Sequence, residues 1–267
     1  MKTLLSMFRM KLLAGLQYRA AAWAGIATQF FWGFMLIMIY EAFYRSSDAV
    51  PAMTLAQTSR YIWLQQAFLM LTNMWSRDPE VLELIRSGGI AYELARPVDL
   101  YGLWYARFLG RRLSATALRF LPVLLVACLL PAPYRMTLPP SAAHFALFLL
   151  ALALSALLGT ALLELTYVFT LRTLDFAGPG FVMNALSDFF SGAVILLPFM
   201  PRAIQRIAFV LPFRYLADFP YRLYVGNIPL PEAALSLCIS AGWCVVLTAG
   251  GRLLMRRFLR RAVLQGG

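Results

Sequence analysis

Four ionisable side chains stand inside stretches that are otherwise apolar: Arg60, Arg119, Glu164 and Asp188, with Asn184 one helical turn before Asp188. Charge at membrane depth is costly, so such groups either pair between helices, reach for the interface, or line a path for substrate or protons. The sequence leaves both roles open. Catalytic sets are thin. Ser191-Gly192 offers a hydroxyl, but its base would have to be His144, the single histidine, at the edge of an apolar span. Cys128, Cys238 and Cys244 lie in apolar stretches without a CxxC spacing, the setting of small buried hydrophobes. With one histidine they form no metal-ligand set, so no metal site is expected. Glu164 and Asp188 make no paired acid motif to hold a divalent cation. A P-loop needs GxxxxGK[ST], and neither Lys2 nor Lys11, the only lysines, follows a glycine. Work driven by ATP therefore needs a nucleotide held by another polypeptide.

A second set of charges is of a different kind. Asp78, Glu80, Glu83, Glu93 and Asp99, five of the chain's twelve acids, fall within 22 residues. Asp78 and Pro79 suit the cap and first turn of a helix. Val81, Leu84 and Ile85 give it an apolar ridge, and Glu80 and Glu83 lie on the other flank, near the N-terminus where negative charge is favoured. Gly88-Gly89 ends the helix and Arg96-Pro97 breaks the chain again. Acids on a helix resting on lipid would meet anionic headgroups. A docked protein suits them better.

The elements that must position these residues are membrane helices. The chain is 61% hydrophobic with only 13% charged residues and a mean hydropathy of +0.70, where a soluble domain carries about 25% charge. Apolar spans are expected over 20–40, 55–75, 113–131, 142–171, 181–197 and 233–251. The second is interrupted by Arg60, Gln65, Gln66 and Asn73. Residues 1–19 repeat apolar positions at helical spacing around Lys2, Arg9, Lys11 and Arg19, as in an amphipathic interfacial helix. Residues 198–230 are broken by Pro198, Pro201, Pro212 and Pro220 into pieces too short to span, which predicts re-entrant or interfacial helices. A net charge of +12 invites nucleic acid as a partner. The basic residues flank apolar spans instead, so a lipid surface explains them and nucleic acid does not. Sixteen of the twenty-four fall in 1–19, 77–112, Arg172 and 252–261, which puts those segments and both termini in the cytoplasm.

Residues 86–99, "RSGGIAYELARPVD", resemble the signature of permease subunits of ABC-2 type exporters, in particular a bacterial six-span branch with an RSG…RPV cytoplasmic motif. The matching positions are Arg86, Ser87, Gly88, Ile90, Tyr92, Leu94, Arg96, Pro97 and Val98. "LPFRYLADFP" (211–220) is similar to the family's outer region. The resemblance implies an all-α polytopic fold: a helix over 1–19, then a six-span permease domain over 20–267. It further implies a cytoplasmic coupling helix between spans two and three, within 76–112, and re-entrant helices over 198–230 before span six. It implies two permease subunits, identical or related, with two copies of an ABC ATPase that binds ATP and magnesium, in the inner membrane of a bacterium. Contacts to that ATPase would fall on Asp78, Glu80, Val81, Glu83, Leu84, Ile85, Arg86, Gly88, Gly89, Tyr92, Arg96 and Pro97. An outer gate would involve Pro198, Pro201, Pro212, Phe213, Tyr215 and Pro220. The pathway candidates remain Arg60, Arg119, Glu164, Asn184 and Asp188. The expected function is export of a drug, lipid or peptide-like substrate, without catalysis or cofactor on this chain. The alternative is a stand-alone ion- or proton-coupled carrier, or an intramembrane enzyme, using Glu164 and Asp188.

Overall fold

The structure, a computed structural model, describes residues 2–17, 19–46 and 51–261. Residues 47–50, between the first two expected spans, lie outside the described residues, as do the side chains of Arg19 and Arg261. Every regular element described is helical. α1 (Lys2–Gly15) buries no residue fully and is followed by α2 (Arg19–Ser46), which is apolar over most of its length. α3 (Leu55–Ala67) opens on a capping box, in which Gln57 N donates to Thr54 Oγ1 and Thr54 N to Gln57 Oε1. It stops at Phe68, and one turn, α4 (Leu69–Thr72), leads to extended backbone at Asn73. α5 (Pro79–Arg86) and α6 (Ile90–Leu94) flank Gly88, whose φ of +74° only glycine adopts without strain. α7 (Leu100–Ala117), capped by Asp99, runs on into α8 (Phe120–Leu129) after an irregular step at Leu118-Arg119.

α9 (Ala142–Thr173) ends on Leu174 in the left-handed conformation, and α10 (Ala177–Phe190) follows. A 3-10 turn (Leu197–Phe199), α11 (Arg202–Val210), a second 3-10 turn (Pro212–Leu216) and α12 (Asp218–Tyr224) precede α13 (Leu230–Arg261).

α9 is the hub, packing against α13, α12, α7, α10 and α4. Its inner stretch is built from small residues, Ala151, Ser155, Ala156, Gly159, Thr160 and Ala161, all buried. Small side chains let neighbouring backbones approach closely in a membrane bundle. At Gly159 a β-carbon would stand 3.4 Å from Arg112 Nη1, Leu216 Cδ2 and the Leu71 carbonyl at once. The hydroxyls of Thr160, Thr166 and Thr170 donate to carbonyls one turn back, so none is left bare inside the helix.

Among the described residues, four helical segments are long and apolar enough to cross a membrane: Ala22–Ser46, Leu100–Leu129, Ala142–Thr173 and Leu230–Arg260. This corrects the six-span expectation. The expected spans over 55–75 and 181–197 are helical for only 13 residues in α3 and 14 in α10. At 1.5 Å per residue each reaches about 20 Å, short of the roughly 30 Å of a bilayer core. α3 breaks where Phe68 leaves helical geometry, and α10 ends at Ser191, before Gly192 with φ +79°. The layout with a coupling helix between spans two and three and re-entrant helices before span six falls with that count. Residues 198–230 instead form short helices and 3-10 turns packed on α9, where Ser155 Oγ donates to the Leu216 carbonyl. The third apolar segment also begins earlier than expected, at Leu100 rather than Leu113, because Arg107, Arg111 and Arg112 lie within the helix.

The bundle has two distinct ends. α1, α5, α6 and the last turns of α9 and α13 gather at one, called here the α5 face. α11, α12 and the first turns of α9 and α13 gather at the other, the α11 face. Arg252 on α13 pairs with Asp99 at 2.9 Å at the α5 face, and Phe148 on α9 meets Tyr224 edge-on at the α11 face.

Candidate functional site

The densest polar cluster among the described residues stands at the head of α5. Asp78 is the helix cap: its Oδ1 accepts from the backbone N–H of Glu80 at 3.1 Å and of Val81 at 3.3 Å. Its carboxylate is only 2% exposed, yet it is charged, because α7 brings two guanidinium groups to it. Arg107 Nε donates to Oδ2 at 2.6 Å and Nη2 to Oδ1 at 2.8 Å, a bidentate pair. Arg111, one turn further, adds Nη1 to Oδ2 at 2.7 Å. α9 closes the cage, since the backbone N–H of Asp78 donates to Tyr167 Oη at 2.6 Å. Glu80 extends the network to α1, with Lys11 Nζ at 3.1 Å, and shares Arg107. Four helices, α1, α5, α7 and α9, are tied at one point.

Burial alone would raise the pKa of Asp78, but its bonds to Arg107 and the charge of Arg111 outweigh it and hold the carboxyl below its usual value. Bonds from Arg107 and Lys11 lower that of Glu80.

The ridge of α5 points inward. Val81 and Ile85 are buried, with Leu82 and Ile90, against Trp104, Phe108, Tyr167 and Phe176. Leu84 is half-buried. The surface that α5, α6 and the residues after each leave to solvent is mixed: Glu80, Glu83, Arg86, Ser87, Arg96 and Pro97, with Leu94 at 40% and Tyr92 at 82% exposure. Gly88 and Gly89 are partly exposed at the turn between the two helices. Arg86 reaches Asp175, beyond α9, at 3.6 Å, and Trp104 Nε1 donates to Glu93 at 2.9 Å.

The other expected residues are scattered. Arg60 donates to the Ala56 carbonyl and to Thr137 Oγ1, both at 3.0 Å, near the α11 face. Arg119 lies across Gly25 of α2 and lines a cavity of about 420 Å³ with Gln29, Gln65 and Gln66. Glu164 is fully buried in α9, and neither carboxylate oxygen has a hydrogen-bond partner. Asn184 donates to Asp188 at 2.8 Å within α10. Among the described residues Glu164 and Asp188 share no hydrogen-bond partner, Glu164 having none and Asp188 being held by Asn184. Pro198 opens into the first 3-10 turn, Pro201 precedes α11, and Pro212, Phe213 and Tyr215 form the second turn. Pro220 sits in the first turn of α12, buried. No group of three metal-ligating side chains occurs among the described residues.

Sequence reasoning missed Lys11, Arg107, Arg111 and Tyr167. The i, i+4 spacing of Arg107 and Arg111 placed both on one helix face, but nothing local tied that face to Asp78, 29 residues away.

A helical bundle with four membrane-length apolar segments among the described residues is a multi-pass, membrane-embedded protein. Its family is also defined. A profile described as "ABC-2 family transporter protein" matches residues 29–264, and the chain belongs to that family. Among curated proteins none matches it significantly. The narrower resemblance to a six-span branch with an RSG…RPV motif does not stand beside four membrane-length segments, and the broader ABC-2 family replaces it.

Proposed function

We propose that this chain is the membrane-spanning permease subunit of an ATP-driven exporter whose nucleotide is bound by a separate ABC ATPase. The observation that carries this reading is the cage around Asp78. A short helix with a polar, exposed flank is joined to α7, the first part of the membrane-length segment Leu100–Leu129, and to α9, a second such segment. Force applied to α5 and α6 from outside the membrane would pass into those segments without loss in a flexible joint. Glu83, Arg86, Tyr92, Arg96 and Pro97 are then the ATPase-facing residues. Asp78, Val81, Leu84, Ile85, Gly88 and Gly89 hold that surface in shape, and Glu80 does both.

Membership of the ABC-2 family supports the partnership with an ATPase. The working unit has two ATPase copies and a second permease subunit, identical or related, in a bacterial inner membrane. The α5 face is cytoplasmic, with both termini, in line with the bias of basic residues towards that face. Pro198, Pro201, Pro212, Phe213, Tyr215 and Pro220 shape the exit at the other face. The substrate is an amphipathic drug, a lipid or a peptide.

Purifying the tagged full-length chain from its native membrane tests this. An ATPase chain in stoichiometric amount, with ATP-dependent transport after reconstitution, is expected. A homogeneous preparation without an ATPase chain that transports in the absence of ATP would overturn the proposal.

A further inference from the structure

Positive charge on the α11 face has no part in the mechanism above and runs against the bias used to orient the chain. It is concentrated around one cavity. A space of about 380 Å³ opens between α11, α12 and the start of α13, bordered by Arg202, Arg206, Arg214, Arg222, Asp218 and Glu232. That volume lies in the range of small-ligand sites.

The charges do not balance. Asp218 is fully buried and its Oδ2 takes both Arg214 Nε at 3.2 Å and Arg222 Nη1 at 3.5 Å. Glu232 stands 3.8 Å from Arg214. Arg202 and Arg206 have no ion pair among the described residues, so four cations face two anions across the cavity. Arg214 is not a mobile surface group. Its side chain is 5% exposed, with the guanidinium 4.8 Å above the Phe209 ring.

The helix carrying the two unpaired arginines is held in place. Gln205 Nε2 donates to the Met200 carbonyl at 2.8 Å, Tyr215 Oη to the Phe209 carbonyl at 2.7 Å, and Trp243 Nε1 to the Val210 carbonyl at 2.9 Å. Arg202 and Arg206 are one turn apart, so they lie on one side of α11. Like charges at that spacing repel, and here their helix is fixed beside a buried third. An anion with several acceptor oxygens would offset that repulsion, and guanidinium groups match phosphate oxygens in fork geometry.

We propose that this cavity binds the phosphate-ester head of an anionic molecule, held by Arg202 and Arg206 from α11 and by Arg214 from below. The surroundings bear on its source. Trp243, opposite Val210, is 13 residues along α13 from its start, about 20 Å at 1.5 Å per residue, whereas Glu232 is at the very start. α11 therefore runs along the cavity from Arg202 to Phe209, and its end at Val210 lies against α13 beyond that helix's first turns, where Ile207 and Val210 are exposed. A phosphate in the cavity with acyl chains along Ile207 and Val210 matches that layout.

Binding to the purified complex in detergent separates the possibilities, with three probes: short-chain phosphatidic acid, glycerol 3-phosphate, and the matching diacylglycerol. Phosphatidic acid is expected to bind, and Arg202→Gln with Arg206→Gln is expected to weaken it about tenfold or more, the scale of a lost charge-assisted hydrogen bond. Arg135→Gln, on the same face but outside the cavity, should leave binding unchanged. Both arginines of the double variant are exposed, so folding is not at stake. Binding of phosphatidic acid well above that of glycerol 3-phosphate assigns the site to a lipid head. Equal binding of the two assigns it to a soluble phosphate ester. Equal binding of diacylglycerol, unchanged affinity in the double variant, or no binding of either phosphate would overturn the proposal.

Discussion

Arg107 and Asp78 meet side by side, Nε to Oδ2 at 2.6 Å and Nη2 to Oδ1 at 2.8 Å, although 29 residues separate them. Both side chains are more than nine-tenths buried. The pair sets the position of α5 against α7, because Asp78 also caps α5 through Glu80 N and Val81 N. One carboxylate therefore caps a helix and accepts from two arginines at once, with Glu80 supplying the second negative charge to Arg107.

Removing one partner should be costly. Arg107→Ala leaves a buried carboxylate with Arg111 alone, and the loss expected for a broken buried pair is about 3–5 kcal/mol. Replacing both, as Asp78→Ala with Arg107→Ala, should cost less than the sum of the two single replacements. Thermal unfolding of the purified single and double variants gives the coupling, and a strictly additive double variant would refute the pairing.

Acid should loosen the same joint. The folded-state pKa values of Asp78 and Glu80 lie below their ordinary values of 3.8 and 4.5. A depressed carboxyl contributes stability that is present above its unfolded pKa and lost as pH falls through the folded one. Stability attributable to the joint should therefore be level near neutral pH and decline below about pH 4, in the ordinary carboxylate range. Asp78→Asn should flatten that decline. An identical acid profile for wild type and variant, followed by tryptophan fluorescence, would count against it.

The exposed flank of α5 and α6 should be dispensable for folding and needed for partnership. Glu83→Lys with Arg86→Glu, or Tyr92→Ala, should shift stability by no more than about 0.5 kcal/mol, as exposed substitutions do. Transport and substrate-stimulated ATP hydrolysis by the assembled complex should fall in the same variants. Full activity in both would exclude this surface as the docking site.

Gly88 provides a backbone test. Its φ is +74° and no atom lies within 4 Å of the point where a β-carbon would stand, so substitution meets strain but no clash. Gly88→Ala should destabilise by about 1–2 kcal/mol, and Gly88→Asn by less, since asparagine tolerates the left-handed region better. A larger loss with Asn than with Ala, read from melting curves, would show that the turn is set by something other than φ.

Several local features were legible from residue types. Asp78-Pro79 starts a helix and Gly88 stops it, because capping and left-handed geometry are decided within a few residues. The long apolar runs in α2, α9 and α13 announced themselves by length. The same pattern misled over 55–75 and 181–197. Hydropathy counts apolar residues but does not show that the backbone leaves the helix at Phe68 or that α10 stops at Ser191.

The ridge of Val81 and Ile85 marks the boundary between the two kinds of knowledge. Amphipathic spacing determined that α5 must bury one face. The sequence by itself likewise determined an all-helical membrane chain without a P-loop of its own, since these follow from composition and from short motifs. Only the tertiary structure decided that the buried face meets Trp104 and Tyr167 rather than a partner. It also decided that Asp78 meets Arg107, that Glu164 and Asp188 share no hydrogen-bond partner, and that four segments rather than six have membrane length among the described residues. These depend on contacts between residues far apart in the chain, where packing of α7 and α9 chooses the neighbour and local pattern has no say.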